Sequence, residues 1–174
     1  METTSGAART AGDEFIEASR IFLRQDFLPK LLHCLNAMSE DQIWWRPNEQ
    51  SNSVGNLVLH LRGNLKQWVV ASLGGQSFRR ERDAEFATRE RVSRAELISG
   101  IEAAIAEVES VLVNFPTAQL LVRYPVQVYQ VSALQAAYHV VEHFSYHLGQ
   151  ILYIYKLQTA IDPGFYRHLA GQVP

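Results

Sequence analysis

The chain has 174 residues, 47% of them hydrophobic and 20% charged, with a formal net charge of −2; that suits one domain with a real core and is short for two. No basic surplus supports nucleic-acid binding, and no run approaches the roughly 18 uninterrupted apolar residues of a membrane span. The single cysteine, Cys34, excludes a disulfide within these residues, fits a cytoplasmic setting, and leaves any metal to nitrogen and oxygen ligands.

Residues 1–12 are small and polar, lack the apolar stretch of a secretory signal, and read as a flexible lead. One domain is expected over residues 13–158, with 159–174 as a tail. The first helix is predicted from Asp13 to Met38, with Leu23, Phe27, Leu31 and Leu35 in one stripe. Residues 39–50 read as a connection carrying Trp44, Trp45 and Pro47. A second helix starts near Ser51 to Ser53, where Asn and Ser can cap a first turn, and stops at Gly74-Gly75. A charged stretch, Arg79 to Arg91, precedes a third helix opened by the capping-box spacing of Ser93 and Glu96. Its apolar positions from Leu97 to Phe115 alternate by three and four. Val122 to Val131 is β-branched and aromatic and suits an extended pair. The fourth helix spans about Ser132 to Gln158. Four amphipathic helices and no convincing strand run predict an all-α fold, a four-helix bundle with long connections, in which the order of helices is open.

Three of the six histidines, His139, His143 and His147, recur every fourth residue of the last helix. Such neighbours can converge on one ion. His139 and His147 lie about 12 Å apart along the axis, too far to share it easily. With His143 at zero on a helical wheel, His147 falls about 40° into the apolar arc and His139 about 40° the other way, beside Gln135 and Glu142. His143 with His147 is therefore the inner pair, and His139 is a rim residue or an indirect donor. A third ligand has to come from another helix. His60, at the border of the second helix's apolar arc, is the best candidate, with Asn56 and Asn64 one turn to either side. For His33 and His168 a solvated surface role is the default, as it is for Glu142. His139-Val-Val-Glu142-His143 matches the pattern of inverted zinc peptidases, but Glu142 sits about 100° from His143, on the solvent side.

His60-Leu-Arg-Gly63-Asn64 and His143-Phe-Ser-Tyr-His147-Leu-Gly149-Gln150-Ile151 resemble the motifs of the DinB-like superfamily of small bacterial metal-binding helix bundles, over nearly the whole chain. The resemblance implies a divalent transition metal, zinc or nickel first, held by His60, His143 and His147 in a bundle that is often a homodimer. It also implies a metal-dependent enzyme for a small-molecule substrate, since characterised relatives include thiol S-transferases using low-molecular-weight thiols as cosubstrate. Three imidazoles leave a coordination position open, as catalytic zinc sites do, where a thiol or water could be activated. Asn64, His139 and Gln150 are candidates for orienting a ligand or substrate, and no general base stands out. The alternative is a non-catalytic module in which the metal clips two helices together. Trp44, Trp45 and the segment from Tyr124 to Tyr129 either line a pocket or dimer face or cap the core.

Overall fold

The computed structural model describes residues 8–89 and 91–169, and the chain is mostly helical. Among the described residues four long rods carry the core. The first, α1, runs through Ala11–Ile21, a π-helical stretch Phe22–Phe27, and Leu28–Ala37. Pro29 sits at the start of the last stretch. Its ring cannot donate to the preceding turn and would clash with it, and the widened π turns directly before it absorb the mismatch. The second rod, α3, is Val54–Leu65 continued by a π-helical Lys66–Ala71. The third, α5, is Arg94–Asn114, and the fourth, α6, is Ala133–Thr159.

Local chemistry fixes where the rods begin. Thr10 with Asp13, Ser53 with Asn56, Ser93 with Glu96, and Ser132 with Gln135 each form a reciprocal capping box. Each box satisfies two backbone donors that a first turn leaves unpaired. Of the expected lead, residues 1–7 lie outside the described residues, while Ala11 and Gly12 already belong to α1.

Three features depart from the expected pattern. The connection after α1 contains a short helix, α2 (Glu40–Trp44), because Ser39 and Gln42 form another capping box. The charged stretch contains α4 (Arg82–Ala87). The chain is mostly helical, and to the all-α expectation the segment that reads as extended adds one antiparallel hairpin, β1 (Arg123–Val126) with β2 (Tyr129–Ser132).

Packing settles the order that the sequence leaves open: α5 and α6 each contact both α1 and α3. Thr117, just past α5, donates to Asp13 at 2.9 Å, and Arg94 at its start donates to the Met38 carbonyl at 3.0 Å, so α1 and α5 run in opposite directions. Phe27 stacks on Phe144 and His33 meets Tyr155, so α1 and α6 run the same way. His60 meets His143 while Asn64 meets His139, so α3 is antiparallel to α6. Leu31, Leu35, Leu61, Ile101, Leu112, Phe144 and Ile151 fill the space between the rods.

Cys34 is fully buried in this core, and burial pushes its thiol up to about 12. The thiolate is the reactive form, so Cys34 is expected to resist a neutral alkylating reagent in folded protein and to react once urea unfolds it. Labelling followed by mass spectrometry checks this; rapid labelling without denaturant would contradict the packing.

Candidate metal centre

The antiparallel crossing of α3 and α6 decides which histidines meet. His60, from the middle of α3, is 4% exposed, and His147, from α6, is 9% exposed. One ring nitrogen from each of His60, His143 and His147 lies within 4.8 Å of the other two. His60 Nε2 and His143 Nε2 are 3.0 Å apart. Two nitrogens this close satisfy each other through a proton on one of them or through a cation held by both lone pairs. The spacing is near the roughly 3.3 Å that ligand nitrogens keep around a tetrahedral ion.

The outer nitrogens of two rings are anchored. His147 Nδ1 is 2.7 Å from Gln150 Oε1; an amide oxygen only accepts, so Nδ1 carries the proton and Nε2 keeps its lone pair. His60 Nδ1 is 2.9 Å from Glu85 Oε2. Arg80 clamps the same carboxylate, with Nε 2.8 Å from Oε1 and Nη2 2.7 Å from Oε2. Burial alone would raise Glu85; hydrogen bonds from Arg80 and His60 and the charge of Arg80 reverse this and hold it below the ordinary carboxylate value. Ionised, Glu85 can only accept, so His60 Nδ1 is the donor and Nε2 is the nitrogen turned inward. Arg80 Nη2 also lies 3.0 Å from His60 Nδ1, and both donors are directed at Oε2. His143 Nδ1 is buried and has no hydrogen-bond partner.

Sequence reasoning missed Arg80 and Glu85. Glu85 rides on α4, where Phe86 packs over the His60 ring at 4.4 Å between centroids. The only signal for it was Gly63 in the first motif: a Cβ there would run into the Glu85 carboxylate, so glycine lets α4 approach α3. Asn56 and Asn64 both bond within the protein. Asn56 donates to the Glu85 and Thr88 carbonyls at 2.9 and 3.1 Å and so holds α4 in place. Asn64 Nδ2 donates to His139 Nε2 at 3.0 Å, and Trp68 covers that ring. His139 is thus engaged and lies outside the cluster of three. Gln150 holds His147. Glu142, His33 and His168 are exposed. Trp44 donates to the Val92 carbonyl at 3.2 Å, and Tyr129 of the hairpin stacks against Trp68.

A solved structure, the crystal structure of a DinB-like protein from Bacillus cereus ATCC 10987, superposes with a TM-score of 0.65 at 12% identity, covering 87% of this chain and 95% of that one. The fold is therefore DinB-like. Residues 12–163 match the model of the family described as DUF1572, protein of unknown function, and the chain belongs to that family. A search of curated proteins finds no match.

Burial, and then the charges of His147, His60 and His139, pull His143 down from 6.5 to about 3; burial lowers His147 and His139 as well. Below about pH 6.5 the unfolded chain takes up protons that the folded cluster refuses, so stability falls as pH drops from there toward 3. Chelator-treated protein is expected to show a lower urea midpoint at about pH 4 than at about pH 7. A midpoint that is flat across that interval would mean the cluster is solvated.

Proposed function

We propose that the protein is a metal-dependent enzyme in which His60, His143 and His147 hold one divalent transition ion, zinc or nickel first, and that it acts on a small thiol or on water. The observation that carries this reading is the converging trio of inner nitrogens, two of them fixed in the ligand tautomer by Glu85 and Gln150. An ion held there would supply a Lewis-acidic position able to lower the pKa of a bound thiol or water. The chain's own part is to orient the rings, to turn Nε2 of His60 toward the trio through the Arg80–Glu85 pair, and to cover that ring with Phe86. We take the four rods as a four-helix bundle, and a homodimer in the cytoplasm belongs to the same reading; light scattering that gives a monomer mass would remove the dimer.

A second reading rests on a specific observation: the one carboxylate seen beside the trio, Glu85, is taken up by Arg80 and His60. In that reading the ion only clips α3 to α6.

Elemental analysis of protein prepared without chelator is expected to give about one metal per chain, and His143→Ala to abolish it; metal-free protein would sink both readings. Glu85→Gln keeps the side chain's shape and is expected to weaken metal affinity about 10–100-fold. With cobalt bound, a small thiol should shift the visible spectrum if the ion has an open position. No shift, together with a large fall in melting temperature on chelation, would favour the clip.

A further inference from the structure

Beside the histidine cluster, between the chain leading into α3 and the C-terminal half of α6, lies a cleft of about 590 Å³. That is within the range of roughly 300–1,000 Å³ typical of small-molecule sites. Its walls have one consistent chemistry. Trp45, Tyr146 and Tyr153 supply rings, Gln50, Asn52 and Gln150 supply amides, and none of the residues lining it carries a charge. Two of these residues also touch the cluster. Gln150 Oε1 accepts from His147 Nδ1 at 2.7 Å, and the Tyr146 ring meets the His147 ring edge-on at 5.0 Å between centroids.

Gly149, on the same wall, is a second and independent sign. Glycine inside a helix lowers its stability relative to alanine, so it calls for a local reason. Gly55 and Gly63 have one: a Cβ on Gly55 would meet the Trp44 ring at 2.8 Å, and on Gly63 it would run into Glu85. A Cβ on Gly149 would meet nothing within 4 Å. No protein neighbour requires glycine there, and what its missing side chain leaves free is the cleft.

We propose that this cleft binds a small uncharged molecule with an aromatic body and an amide- or hydroxyl-like polar group, seated against Gly149 with Gln150 as its link to His147. An anionic ligand would leave water for a wall that offers no cation, a cost that neutral amides do not offset. Aromatic rings stack or meet edge-on with Trp and Tyr, while the amides can donate and accept. This deepens the proposed function by naming the substrate class, and it rests on that reading only for the reaction, since binding itself needs no ion.

The test uses benzamide and benzoate, which share a ring and differ in charge, with the full-length protein both as purified and after chelation. Shifts of the Gln150 side-chain amide and of Tyr153 in NMR spectra report binding. Benzamide is expected to give saturable shifts in both preparations, and benzoate to bind about tenfold more weakly or worse. Gly149→Trp fills open space, so it is expected to keep the helical circular dichroism and melting temperature and to lose benzamide binding about tenfold or more. If that variant does not fold, the benzamide and benzoate comparison decides alone. Absence of shifts with benzamide, equal binding of benzoate, or undiminished binding in folded Gly149→Trp would each overturn the proposal. Because chelated protein is included, failure here is distinct from failure to find a metal.

Discussion

The geometry of the cluster depends on one buried ion pair. Arg80 is 4% and Glu85 11% exposed at the side chain, and the carboxylate between Arg80 and His60 is what decides which nitrogen of His60 faces inward. Removing one partner from such a pair costs about 3–5 kcal/mol, because the other is left charged without compensation. The pair therefore contributes to orientation and works only as a unit. Everything around it serves to bring Glu85 to that place: Gly63 leaves the room, Asn56 ties down the α4 carbonyls, and Phe86 lies on the ring that Glu85 orients.

The rest of the site follows from how α3 crosses α6. Moving one turn forward along α3, from His60 to Asn64, moves one turn backward along α6, from His143 to His139. Four polar residues thus meet in two rungs. In one, two imidazoles face each other through Nε2; in the other, an amide donor occupies the nitrogen that would otherwise be a further candidate ligand. Asn64 and Trp68 together explain why a row of three histidines on one helix gives only two members of the cluster.

Much of this was legible in the sequence, for local reasons. Capping boxes and the three-four alternation of apolar residues act within a few residues of chain, so Ser93 with Glu96 and the stripe from Leu97 to Phe115 announce their helix directly. The wheel separated His147 from His139 because the side of a helix that is buried is written in its own residues. Arg80 and Glu85 were not legible, since their stretch has no periodicity and their partner lies some twenty residues earlier on another rod. Asn56 and Asn64 were visible as polar residues beside His60, yet what they bond depends on which element packs against each. The short helix α4 has no side-chain cap and is placed by tertiary contacts, whereas α2 carries its own capping box, Ser39 with Gln42, and the π turns directly precede Pro29. The pairing of α5 and α6 with both other rods needed the folded packing, as nothing in loop length fixes it.

The short helix α4 has a dynamic consequence. It spans six residues and buries no side chain completely, whereas α3 and α6 are held by the core. Elements with few buried contacts open at a small fraction of the free energy of global unfolding. Glu85 and Phe86 both ride on α4, so any opening of that helix would release His60 from its partner while the rods stay packed. The order of the site therefore depends on how firmly α4 is tied down by Asn56 and Arg80 as well as on the packing of the rods, and a change that only loosens α4 acts on the first alone.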